Sequence, residues 1–71
     1  MTIHDDHRVM VEFWRLYKQV DQLRRQKGND MWPEAIRLCS RFGEHWGDLA
    51  KKLTLAMCDE FERRLKHDQT N

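Results

Sequence analysis

Residues 32–65 read WPEAIRLCSRFGEHWGDLAKKLTLAMCDEFERRL, and an apolar stripe passes through them in steps of three and four. Trp32, Ala35, Cys39, Phe42, Trp46, Leu49, Leu53 and Ala56 recur about every 3.5 residues, the spacing of a helix packed lengthwise on another helix. The stripe then drifts to Met57, Phe61 and Leu65, as a straight helix of about 3.6 residues per turn drifts against a strict heptad. Gly43 and Gly47 interrupt it. Each glycine costs about 1 kcal/mol against alanine inside a helix. The stripe nevertheless keeps its phase across them, where an inserted loop would lose it. The pattern therefore predicts one long second helix over residues 31–66, kinked or broken at Gly43–Gly47.

The chain before this stretch supplies a partner. Val9, Phe13, Leu16, Val20 and Leu23 alternate steps of four and three and predict a first helix over residues 6–27. Asp5 and Asp6 suit its positive N-terminal end, and Arg24, Arg25 and Lys27 suit its C-terminal end. Gly28 is placed to end the helix, and Gly28-Asn29-Asp30 is a tight connection with Asp30 as the expected cap of the next helix. Pro33 is tolerated in a first helical turn. So short a connection makes consecutive helices antiparallel neighbours. The fold class is all-α: an antiparallel helical hairpin forming a single domain over residues 1–71.

The two expected helices differ in length. At 1.5 Å per residue a continuous second helix outruns the first by roughly 20 Å. Phe61 and Leu65 then project past their partner and, with Met57, are expected to form a dimer interface that completes a four-helix arrangement. Small chains need such help. Seventy-one residues lie near the lower limit for a self-sufficient core, and a disulfide, a metal or a second copy is the usual staple. The two cysteines, Cys39 and Cys58, stand roughly 28 Å apart on one straight helix, too far for a bridge.

Charge narrows the function classes. Thirteen Lys and Arg against twelve Asp and Glu give a net charge of +1, which steers the chain to neither nucleic acid nor an anionic membrane. The longest uncharged run of the second helix, Leu53–Cys58, is far short of the ~20 apolar residues of a membrane span. The acidic start His4-Asp5-Asp6 does not read as a signal peptide, and a cytoplasmic location is expected. Nothing assembles a nucleophile, a base and oxyanion donors, so a non-enzyme without cofactor is expected. His4-Asp5-Asp6-His7 reads as a solvated helix start rather than a metal site.

Two features point to partners. Met10, Trp14 and Tyr17 form a second apolar lobe beside the first seam, and tryptophan is prominent among interface hot spots. These three are the expected protein-binding residues. Arg24, Arg25, Arg63 and Arg64 form two basic clusters that would pair with phosphates in a nucleic-acid reader, although helix dipoles alone explain their positions.

With its two seams and the Gly28-Asn29-Asp30 turn, the hairpin resembles small phage- or plasmid-encoded helical homodimers. Some of these, the Rop type, bind RNA. Others are anti-activators or inhibitors that dock on a host regulator such as a transcription factor. The resemblance implies a dimeric interaction protein, with an RNA- or DNA-binding dimer as the alternative, and it transfers no functional residue.

Overall fold

A computed structural model describes residues 3–70, and it is all-helical. Helix α1 spans Ile3–Lys27, a 3-10 turn spans Gly28–Met31, α2 spans Trp32–Trp46 and α3 spans Asp48–Thr70. Helical structure is thus unbroken from Ile3 to Trp46, and Gly47 is the single non-helical residue among those described.

Cross-chain contacts give the directions. Phe13 meets Phe42, with ring centroids 6.1 Å apart, and Arg8 lies 5.8 Å over the Trp46 ring, so α2 runs antiparallel to α1. Tyr17 meets Phe61 at 5.0 Å, and Arg24 Nη1 donates to Asp68 at 2.8 Å, so α3 runs parallel to α1. The chain is an up-down-up three-helix bundle measuring 43 × 18 × 16 Å. Residues 3–46 as one straight helix would need roughly 66 Å, so the reversal at residue 28 is real.

The first turn follows the sequence reading in outline. Gly28 takes a φ of 58°, a left-handed conformation natural to glycine, and α1 stops there. Pro33 sits in the first turn of α2. Asp30 does not cap that helix: Met31 occupies the N-cap position and no side chain bonds there. Met31 is instead wholly buried in the core. Helix α1 begins at Ile3, which puts Asp5 and Asp6 inside its first turn, where their charges still oppose the positive end of the dipole.

The second turn breaks the long helix at Gly47, inside the Gly43–Gly47 interval, and reverses the chain there, so the continuous helix is corrected. At Gly47, φ is 86° and ψ is −149°, a region essentially reserved for glycine. Its N–H donates to the Gly43 carbonyl at 2.9 Å, and its own carbonyl accepts from Lys51 N–H at 3.0 Å. One residue therefore closes α2 and opens α3. Because a single residue reverses the chain, the apolar count passes through without an inserted loop, and phase continuity says nothing about direction. The stripe does rotate. The buried face of α3 is Ala50, Thr54, Met57, Phe61 and Leu65, whereas Ala56 is exposed and Leu49 and Leu53 are half-buried.

This reversal removes the length mismatch. Met57, Phe61 and Leu65 do not project; they are buried in the chain's own core with Leu16, Val20, Met31, Ala35 and Cys39. Their assignment to a dimer interface is corrected, since α1 and α2 already cover them. Thr54, the one buried polar residue among those described, donates its hydroxyl to the Lys51 carbonyl at 2.9 Å.

Candidate interaction surface

Helix α1 turns Val9, Leu16 and Val20 inward, and the adjacent helical stripe falls at the rim facing α3. Met10 and Trp14 lie on that rim with 50% and 57% of their surface exposed. Trp14 is not loose. Its ring stacks on Tyr17, with centroids 5.7 Å apart and planes 20° from parallel, and the Lys18 ammonium lies 5.5 Å from the Trp14 ring centroid.

From Tyr17 the arrangement continues across the seam into α3. Tyr17 packs on the fully buried Phe61, and Arg64 stands 6.0 Å from the Tyr17 ring and 5.5 Å from that of Phe61. Arg24 approaches Phe61 at 6.0 Å. Cations and aromatic rings thus alternate along the α1–α3 seam, each guanidinium attracted by ring quadrupoles. The three expected protein-binding residues, Met10, Trp14 and Tyr17, come together on this face. Tyr17 is half-buried and acts as the support on which Trp14 rests.

The two basic clusters also converge, because α3 runs parallel to α1 and both helix C-termini lie at one end. Each arginine has a carboxylate. Arg24 bridges Asp21 at 2.9 Å and Asp68 at 2.8 Å with only 15% of its side chain exposed, and Arg25 also holds Asp21 at 3.0 Å. Arg63 and Arg64 both bond Glu60. Burial raises the Asp21 carboxyl's pKa, but the hydrogen bond from Arg24 and the charges of both arginines outweigh it and hold it below its usual range. Hydrogen bonds from Arg63 and Arg64 lower Glu60 in the same way and raise the two guanidinium groups in return. These cations are already spoken for by carboxylates of the same chain.

A second apolar surface has no counterpart in the sequence reading. An open groove between α2 and α3 is lined by Ile36, Cys39, Gly43, Thr54, Leu55 and Cys58. Its rims are Ile36, 56% exposed, and Leu55, 68% exposed. On one straight helix, residues 36 and 55 would be far apart; the reversal at Gly47 faces them across a groove.

Among the described residues, no group of three or more His, Cys, Asp or Glu is placed to hold a metal ion, and no helix is long and apolar enough to cross a membrane. His4 and His7 are exposed on the first turns of α1. Comparison with family models, characterised proteins and solved structures returns no match.

Proposed function

We propose that this chain is a non-catalytic binding module that engages another protein through the Met10–Trp14–Tyr17 face and thereby modulates it. A regulator of transcription is the partner class that the resemblance to small helical anti-activators implies. The observation carrying this reading is the state of Trp14: more than half exposed, with its ring stacked on Tyr17. A large apolar side chain ordered before contact loses little rotamer entropy on binding, which is how a hot-spot anchor gains affinity.

Binding through phosphates is the weaker reading, because Arg24, Arg25, Arg63 and Arg64 would each have to leave Asp21, Asp68 or Glu60. Such exchanges return less than free cations would give. Capture of the partner from lysate of the encoding organism, followed by titration with variants, tests the proposal. Trp14→Ala combined with Met10→Ala should weaken binding by about 25-fold or more while the helical spectrum stays intact. Binding indifferent to both changes but abolished by the four Arg→Ala changes, and falling steeply with salt, would overturn it in favour of nucleic acid.

A further inference from the structure

Cys39 lies on α2 and Cys58 on α3, and the reversal at Gly47 sets them face to face with their sulfurs 3.9 Å apart. That is van der Waals contact, with no room for another side chain between them. Both are free thiols. A disulfide needs sulfurs about 2.05 Å apart, so the pair must close by roughly 1.9 Å, within reach of side-chain rotation and a small helix adjustment.

The helices around the pair are built for close approach. Gly43, one turn from Cys39, lies so near α3 that a Cβ there would stand 3.0 Å from Lys51 Cγ. Thr54, one turn from Cys58, is small and internally hydrogen-bonded. The two thiols also differ in access. Cys39 is buried, whereas Cys58 is half-exposed and lines both the groove bounded by Ile36 and Leu55 and a neighbouring one bounded by Trp32 and Lys66.

From this geometry we infer that Cys39 and Cys58 are a reversible oxidation site, closed to an intrachain disulfide by small-molecule disulfides of the glutathione class. Cys58, reached from the groove, attacks first as the thiolate: its sulfur bonds to one sulfur of the small disulfide and the other leaves as a thiolate. Cys39 then gives up its proton to solvent and attacks the Cys58 sulfur, expelling the second small thiolate. The protein loses two electrons and two protons, and one small disulfide becomes two thiols.

The order of attack follows from the surroundings. Burial, then the neighbouring Cys58 charge, pushes the Cys39 thiol up to about 12, so Cys39 is a poor first nucleophile. Capping of Cys58 in the mixed disulfide removes its charge and leaves burial alone opposing Cys39. The bridge would join residues nineteen apart in sequence, enclosing the Gly47 reversal and pinning the floor of the groove. It would supply the covalent staple that a chain of this size otherwise lacks.

Thermodynamic reciprocity gives the test: folding favours the disulfide by the factor by which the disulfide favours folding. The full chain is equilibrated in buffers of fixed oxidised-to-reduced glutathione ratio, with and without denaturant, then acid-quenched, alkylated and weighed. The expected native product is one chain, two hydrogens lighter than the dithiol, at a fraction independent of protein concentration. Its equilibrium constant should exceed that of the unfolded chain by on the order of a hundredfold. A native constant equal to or below the unfolded one overturns the inference, as does oxidation that yields only glutathione adducts or two-chain products. Cys39→Ala should accumulate an adduct at Cys58 faster than Cys58→Ala does at Cys39; the reverse ranking overturns the assigned order of attack.

Discussion

The two seams that α3 makes are built from opposite materials. Against α1 it sets Phe61 on Tyr17 and rings both with Arg24 and Arg64, whose charges are held by Asp21, Asp68 and Glu60. Against α2 it sets Thr54 and Cys58 beside Gly43 and Cys39. The connections explain the contrast. One residue joins α2 to α3, so the axes start close together and only small side chains fit between them near the turn. Helices α1 and α3 are separated in sequence by the whole of α2, and nothing prevents them from standing apart around aromatic rings. Close axes leave an open groove outside, flanked by Ile36 and Leu55. Separated axes leave an aromatic rim carrying Trp14.

The aromatic seam should carry most of the stability. Phe61 is wholly buried between helices remote in sequence, so Phe61→Ala removes packing that no local contact replaces. A buried Phe→Ala change costs about 3–5 kcal/mol. Urea unfolding followed by far-UV circular dichroism should show that loss, with a wild-type midpoint unchanged over a wide range of protein concentration. A midpoint that climbs with concentration would return Met57, Phe61 and Leu65 to an interface between chains and dissolve the contrast between the seams.

The small-residue seam depends on its turn, and its two glycines should respond differently. Gly47 needs its backbone conformation, so Gly47→Ala is expected to cost about 1–3 kcal/mol whatever space is free around it. Gly43 is an ordinary helical residue whose new Cβ would meet only the flexible stem of Lys51. Gly43→Ala gains about 1 kcal/mol of helix propensity and spends part of it displacing that stem. The same denaturation assay should therefore find Gly47→Ala clearly destabilised and Gly43→Ala near wild type. Equal losses at both sites would mean that close packing, not backbone conformation, sets the turn.

What the sequence discloses follows the same division. The Gly28 turn is legible because glycine, asparagine and aspartate interrupt the apolar count over several residues. At Gly47 the two nearby glycines mark a candidate break, but the reversal of direction is not legible, because a one-residue turn leaves the count intact. Everything that depends on it is hidden with it: the proximity of Cys39 and Cys58, the groove between Ile36 and Leu55, and the convergence of Arg24 with Arg64 at one end. Met31 escapes notice for a different reason, since a connecting residue carries no periodicity to mark it as core. The Met10–Trp14–Tyr17 rim is readable in advance because it needs only the geometry of α1 itself.

The seams should also weaken at opposite ends of the pH scale, the smallest effect and the one that separates them most directly. The Asp21 carboxyl is held below its usual value of 3.8 because two arginines, outweighing its burial, favour the charged form. A carboxyl lowered in the folded state contributes stability that is present above its unfolded pKa and lost as pH falls through the folded one. Cys39 behaves in the opposite sense. Its thiol is raised from 9.0 to about 12, chiefly by burial, so its contribution is complete below pH 9.0 and declines as pH rises from there towards 12. Over the first unit above that point the loss is at most about 1.4 kcal/mol, the ceiling for one group. Urea midpoints measured under a phosphine reductant should fall below pH 4 in a way that Asp21→Asn flattens, and above pH 9 in a way that Cys39→Ala flattens. Each substitution should leave the other limb alone, since Asp21 belongs to the α1–α3 seam and Cys39 to the α2–α3 seam. If Cys39→Ala leaves the alkaline limb as steep as in wild type, groups other than Cys39 account for it and the buried thiol does not set the alkaline limit of the small-residue seam.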